Sequence, residues 1–326
     1  MSFWKDKNCF VTGATGFVGA HVVRELIERQ ANVICLQRDP AKVNALDLFD
    51  LRPRVTVVNG QLGDLALMES LIKQYEVEAV FHLAAQALVD VAYSSPLLTF
   101  ETNIRGTYSL LEACRLGESV KRIVVASSDN AYGPQDSPPF TEDHPLNGLL
   151  PYDASKTCAD IIARSFARAY DMPVAVTRIT NIYGPGDMNM SRIVPGTIVS
   201  VLKNENPVIR SDGRPLRDFV YVEDVSRAYL LLAENIEKAR GEAFNFGSGS
   251  PVQLLELVKK IIHLSGKDGE LFPTVLQKTT GQGTNDERYL DHEKASRVLG
   301  WDAQFDLDDG LSHTIKWYAD NLSTFI

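Results

Sequence analysis

The sequence predicts an α/β protein, a doubly wound parallel sheet followed by a smaller C-terminal α/β cap. Three observations carry this expectation. Short, continuously apolar strands alternate with longer segments of helical periodicity, the pattern of a parallel sheet covered on both faces. A glycine-rich turn joins the first strand to the first helix. The alternation breaks after Ile182, where turn-rich segments begin.

The elements follow in order. "NCFVTG" (Asn8–Gly13) is a strand, and Phe17–Gln30 is a helix with Val18, Val22 and Leu26 at helical spacing. Strands follow at Asn32–Gln37 and Val55–Gly60, then a helix at Ala66–Tyr75 and a strand at Ala79–Ala85. One long helix is expected over Leu98–Gly117, a fifth strand in "RIVVASS", a helix over Tyr152–Tyr170 and a sixth strand at Val174–Ile179. Beyond these, "SRIVPGTIVSVLKNENP" holds a helix between prolines. The strand "DFVYVED" and the helix Val225–Asn235 return to the style of the main sheet. "SPVQLLELVKKIIHLSG" and the loop "KTTGQGTNDERYLD" read as cap. The expected division is therefore 1–183 with 218–242 as the dinucleotide-binding part, and 184–217 with 243–326 as the substrate-binding part. The longest structureless stretch is Gly133–Pro151, with four prolines before Pro151. A loop of that length inside a compact domain is often functional.

Composition narrows the function. The 326 residues are 44% hydrophobic and 23% charged, enough for a large core. A net charge of −9 argues against a nucleic-acid binder. Cys9, Cys35, Cys114 and Cys158 form no CxxC, so thiols in a reducing compartment are expected. The six histidines form no HxxxH or HxH pattern, and no metal is expected. No apolar run reaches the roughly 18 residues that span a bilayer, and no signal peptide opens the chain. A cytoplasmic protein without membrane contact is expected.

"TGATGFVGAH" spaces Gly13, Gly16 and Gly19 as GxxGxxG at a strand–helix junction. Such glycines allow close backbone approach to a pyrophosphate, which the helix N-terminus attracts. Thr15, Phe17 and Val18 belong to the same turn. This is a Rossmann-type dinucleotide site. The second strand ends in Gln37 and Arg38 where an acid usually binds a ribose hydroxyl. Gln37 can bond a hydroxyl and Arg38 a 2′-phosphate, so NAD is expected and NADP is not excluded. Asp64 and Leu65 either sit near the adenine or open a helix, with Asp64 as its N-cap.

"YDASK" places Tyr152 and Lys156 at i, i+4 on one helix face. A cation beside a phenol favours phenolate, making a usable general base. Ser128, at a strand end, completes a candidate active site.

"TGATGFVG", "HLAAQ", "TNIRGT", "YDASK" and "RDFVYVEDV", in this order and spacing, resemble the extended short-chain dehydrogenase/reductases that act on nucleotide sugars, the NAD-dependent epimerase/dehydratase family. The resemblance covers nearly the whole chain. It implies that Tyr152 takes a proton from a sugar hydroxyl, Lys156 holds the nicotinamide ribose and Ser128 bonds the reacting oxygen. It places Leu83, Ala84, Ala85, Gln86, Asn103 and Ile179 around the cofactor. It places Asn130, Asn181, Arg192, Ile193, Arg210, Arg217 and Arg288 around the nucleotide-diphosphate sugar, with Arg217 on the diphosphate. It also implies a homodimer through the helices at Leu98–Gly117 and Tyr152–Tyr170.

Within that family "HLAAQALV", "SD", "YDASKTCA" and "GDMNMSRIVPGTI" resemble the CDP-glucose 4,6-dehydratases. These oxidise C4, remove water across C5–C6 and return hydride to C6. Asp129 is then the acid for the leaving hydroxyl. Asn130 departs from the pattern, because Glu or Lys usually follows that Asp and an amide takes no proton. A 4-epimerase, which needs only Tyr152, is the alternative. The plain alternative for Asp129 and Asn130 is a polar turn. A catalytically idle cofactor-binding relative is the third reading, opposed by the intact Ser128, Tyr152 and Lys156.

Overall fold

The computed structural model describes residues 2–40, 44–135, 137–276 and 287–325. The first part runs β1 (Asn8–Thr12), α1 (Phe17–Glu28), β2 (Asn32–Gln37), α2 (Ala45–Leu48), β3 (Thr56–Asn59), α3 (Leu65–Gln74) and β4 (Ala79–His82). It continues through α4 (Val89–Ser94), α5 (Pro96–Phe100), α6 (Gly106–Leu116), β5 (Arg122–Ala126), α7 (Pro151–Tyr170) and β6 (Val174–Ile179). Then come β7 (Asn181–Tyr183), α8 (Ile193–Leu202), β8 (Val208–Ile209), β9 (Leu216–Arg217), β10 (Phe219–Tyr221), α9 (Val222–Glu234) and α10 (Ile236–Ala239). The chain closes with β11 (Ala243–Phe246), β12 (Val252–Gln253), α11 (Leu254–Leu264), β13 (Thr274–Val275), β14 (Glu287–Arg288), α12 (Glu293–Leu299) and α13 (Leu307–Asp320).

Seven strands form one parallel sheet in the order β11-β6-β5-β4-β1-β2-β3. This is the doubly wound order, with its switch point between β1 and β4. Side chains along β1 alternate between two cores. Cys9 and Val11 pack with Val22 and Leu26 of α1 and Val225 of α9. Phe10 packs on the other face with Met68, Leu71 and Leu110. Full burial of such an aliphatic side chain is worth about 1.5–3 kcal/mol. Helix propensities differ by less than about 1 kcal/mol per residue, so packing decides the layers.

The expected helix over Leu98–Gly117 is continuous, α5 running into α6 through one wider π turn at Glu101–Arg105 that keeps helical backbone angles, and Asn103 in that turn is buried. Two expectations are corrected. β10 does not join the main sheet but pairs with β7 in a separate two-stranded sheet. Ala243–Phe246, assigned to the cap, is instead the outer strand β11 beside β6. Its burial on both faces explains the apolar "AFNF". The smaller cap packs around Tyr183, Val194, Leu257, Leu311 and Tyr318. Of the expected cap loop, residues 278–286 lie outside the described residues. Among the described residues no helix is long and apolar enough to cross a membrane.

Candidate active site

A cavity of about 1620 Å³ opens along the carboxyl ends of the strands. That exceeds the roughly 300–1,000 Å³ of a site for one drug-sized ligand, so it has room for a cofactor and a substrate together. Gly13, Thr15, Gly16, Phe17, Val18 and Gly19 line one end. Gly13 has φ +75°, and a Cβ there would lie 2.7 Å from the Ala84 nitrogen. A Cβ on Gly19 would lie 2.0 Å from the Gly13 carbonyl oxygen. The first turn of α1 holds no acid, and no side chain caps it. Bare N–H groups and a cradle that a Cβ would fill suit a pyrophosphate, so the residues fit a dinucleotide.

Further round the cavity stand Arg38, Asp64, Leu65, Leu83, Ala84, Ala85 and Ile179. Asp64 lines the cavity and is the N-cap of α3, its carboxylate accepting the Leu67 N–H at 3.0 Å. Gln37 does not line the cavity. Its amide donates to the Asp39 carbonyl at 3.0 Å, and its oxygen accepts from Arg52 at 3.0 Å. Asp39, two residues on, lines the cavity in its place. Gln86 and Asn103 also stand behind the wall. Asn103 Oδ1 accepts the Gln86 N–H at 2.7 Å, and its Nδ2 donates to the Gln86 carbonyl and to Ser155 Oγ. With its amide fully used, Asn103 shapes the loop after β4 and ties it to α7.

The catalytic candidates meet at the centre. Ser128, Asp129 and Tyr152 line the cavity. Ser128 Oγ donates to Asp129 Oδ1 at 3.0 Å and hydrogen-bonds the Tyr152 side chain. Asp129 is 6% exposed, and burial raises its carboxyl above the usual range, opposed by Arg288, Ser128 and Arg217. Burial also pushes the Tyr152 phenol up to about 12, helped by the charge of Asp129. The expected lowering by Lys156 is corrected. Lys156 Nζ donates to the Ala126 carbonyl at 2.9 Å, and burial brings Lys156 down to about 8. Arg192 is the cation that favours the Tyr152 phenolate.

At the far end, Asn130, Asn181 and Arg192 line the cavity, whereas Ile193, Arg210, Arg217 and Arg288 are not among its lining residues. Asn181 is held by the Asp218 carbonyl at 3.0 Å, and Arg192 pairs with Asp187 at 2.9 Å. Arg210 follows β8 on the exposed surface, and Ile193 packs into the cap core. Arg217 and Arg288 are register partners on β9 and β14. Arg288 donates to the side-chain Oδ1 of Asn130, and both arginines act electrostatically on Asp129.

One residue escaped the sequence reading. Asp153 is buried, its carboxyl raised by burial and in the field of Arg288 and Asp129. Its only signal is an acid directly after Tyr152. His82, which the sequence places at a strand end near the cofactor site as a packing residue, bridges Thr12 Oγ1 at 2.8 Å and Thr107 Oγ1 at 3.0 Å, and Thr12 Oγ1 accepts the Ala84 N–H at 3.2 Å. It supports the wall of the cofactor end from behind.

Known proteins resemble this chain in sequence and fold. A trifunctional UDP-glucose 4,6-dehydratase/3,5-epimerase/reductase of Arabidopsis thaliana is 29% identical over 98% of this chain. The chain spans 48% of that relative, about half the length of the first curated relatives it matches. The structure of UDP-glucose 4-epimerase with UDP-glucose from Thermotoga maritima superposes with a TM-score of 0.87 at 31% identity, covering 97% of this chain and 99% of that one. The structure of DesIV, a dTDP-glucose 4,6-dehydratase from Streptomyces venezuelae with NAD and TYD bound, gives 0.87 at 30% identity, covering 97% and 98%. The model of the NAD dependent epimerase/dehydratase family matches residues 9–247, from β1 through the strand that closes the sheet. With the dinucleotide cradle, the Ser128–Tyr152–Lys156 centre and that match together, the chain belongs to the NAD dependent epimerase/dehydratase family.

Proposed function

We propose that the chain is an NAD-dependent nucleotide-sugar 4,6-dehydratase, with CDP-glucose as the first substrate to test. One observation carries the reading: Asp129 lies buried in the cavity beside Ser128 and Tyr152, with its carboxyl raised. A carboxyl tuned upward is both a better proton donor near neutral pH and a stronger base.

Gly13, Gly16, Gly19 and the N-terminus of α1 would hold the pyrophosphate of NAD, which supplies hydride acceptance and return. Tyr152 accepts the proton of the C4 hydroxyl, and Ser128 bonds the same oxygen. The C4 carbonyl acidifies C5. The Asn130 amide does not titrate as an acid or base, and its side-chain Oδ1 is engaged by Arg288. Among the described lining residues next to Ser128 and Tyr152, Asp129 is the carboxyl. Both proton movements of the elimination therefore fall to Asp129: its carboxylate takes the C5 proton and delivers it to the departing C6 hydroxyl. Arg192, Arg217 and Arg288 supply the positive charge for a diphosphate. The exposed Leu97, Leu98, Tyr108 and Ile161 support a homodimer through α5, α6 and α7, and the free cysteines suit a cytoplasmic setting.

A 4-epimerase is the second reading, favoured by the engaged Asn130, because Tyr152 and Ser128 suffice for oxidation and re-reduction at C4. Mass spectrometry after incubation with CDP-, dTDP-, GDP- and UDP-glucose in heavy water separates the two. Loss of water with a solvent hydrogen at C5 is expected; unchanged mass with a new stereoisomer would overturn the dehydratase reading. Asp129→Asn is expected to slow water loss by at least about 100-fold while C4 oxidation persists.

A further inference from the structure

The geometry points to Tyr132 as a positioning residue for the substrate end, fixing the turn that presents Asp129 and Asn130. The inference rests on the reading that Asp129 carries the elimination. Tyr132 ends the short turn Asp129–Tyr132 and is 0% exposed. Its hydroxyl accepts from Arg178 Nη1 at 2.9 Å and donates to Asn245 Oδ1 at 2.7 Å. The Arg178 guanidinium also stacks 4.9 Å from the centre of the Tyr132 ring.

Each partner is anchored elsewhere. Arg178, on β6, forms a two-bond pair with Asp160 at 2.8 and 3.1 Å. Asp160 lies on the same face of α7 as Tyr152 and Lys156, at successive four-residue steps. Asn245, on β11, is the register partner of Arg178. Its Nδ2 donates to the Phe140 carbonyl at 2.8 Å, and its N–H donates to Glu142 at 2.7 Å. Phe140 bridges to Leu290, two residues beyond Arg288. One buried hydroxyl thus ties the turn to the sheet, to α7 and to the strand that carries Arg288.

None of Tyr132, Arg178, Asp160 and Asn245 lines the cavity, so their action is indirect. The strand end before Ser128 is held independently: the N–H of Ser127 donates to the Thr177 carbonyl of the neighbouring strand at 2.8 Å, while the Ser128 hydroxyl itself bonds Asp129 and the Asn130 N–H. Removing the Tyr132 hydroxyl leaves a buried donor and acceptor unmatched. The turn is then displaced, whereas the strand end and Tyr152 stay in place.

The test is Tyr132→Phe in the NAD-loaded enzyme, read by single-turnover kinetics and cofactor titration. NAD affinity is expected within about twofold and C4 oxidation within about threefold, while water loss falls by about tenfold or more. In an Asp129→Asn background the further fall is expected to be less than about twofold. Equal losses in all three readouts, or an undiminished effect in Asp129→Asn, would overturn the assignment. If the unsubstituted enzyme loses no water, the dehydratase reading itself has failed, and the variant is scored on the KM of the nucleotide sugar. A rise of about fivefold that disappears in an Asn130→Ala background supports the positioning role, and an unchanged KM overturns it.

Discussion

The two ends of the cavity are built by different means. The cofactor end is made of backbone: glycines without room for a Cβ, a helix N-terminus and the loop after β4. The substrate end is made of side chains held by distant segments, such as Asn130 held by Arg288 and Asn181 held by the Asp218 carbonyl. A backbone site specifies a shape that few substitutions can retain, and it serves a ligand common to the family. A side-chain site can be altered residue by residue, which is how one fold serves many sugars and reactions.

The largest expected effect lies where the two ends meet. Tyr152→Phe should lower turnover by about 1,000-fold or more, because it removes the proton acceptor at C4. NAD affinity should change by less than about threefold, since the cradle is formed by other residues. Cofactor titration beside steady-state assays checks this. A parallel fall in NAD affinity would mean that the two ends do not act separately.

Breaking the backbone end should do the reverse. In Gly13→Val the added side chain meets the Ala84 nitrogen from a backbone angle of +75°, a conformation β-branched residues rarely adopt. NAD affinity should fall by about 100-fold, while binding of a nucleoside diphosphate at the substrate end changes by less than about threefold. Isothermal titration with each ligand measures both, and an intact NAD site would show that the cradle tolerates a Cβ.

The same contrast decides what was legible in the sequence. The glycine cradle lies within one strand–turn–helix unit, so spacing alone locates Gly13, Gly16 and Gly19. Gln37 misled because its partner Arg52 lies fifteen residues away, beyond any local pattern. Asn103 is placed around the cofactor by the resemblance; its amide is instead taken up by Gln86 and Ser155, partners 17 and 52 residues away that no local pattern shows. β11 looked like cap because only pairing with β6 reveals its place. The substrate end depends on contacts such as Asn130–Arg288, 158 residues apart. Composition flags such residues as polar, but not as neighbours.

The smallest effect is a difference of sign with pH. Behind the cofactor end, His82 is 3% exposed and pushed down to about 3 by burial, with the charge of Lys156 adding to this. Its unfolded value is about 6.5, so its contribution is complete above that pH and is lost as pH falls toward 3. At pH 5 the loss is about 2 kcal/mol. Asp129, at the substrate end, is shifted the other way. Its folded carboxyl is raised by burial, so the penalty of keeping it ionised grows as pH rises from the acid range and is relieved on acidification. His82→Gln should therefore flatten the fall in Tm between pH 7 and pH 5, whereas Asp129→Asn should raise Tm at pH 7 and steepen that fall, because it removes a penalty that acidification relieves. Calorimetric scans of the two variants at both pH values test the pair. A slope unchanged by His82→Gln would mean that the imidazole does not stay neutral between Thr12 and Thr107, and that the wall behind the nicotinamide is less rigid than its hydrogen bonds imply.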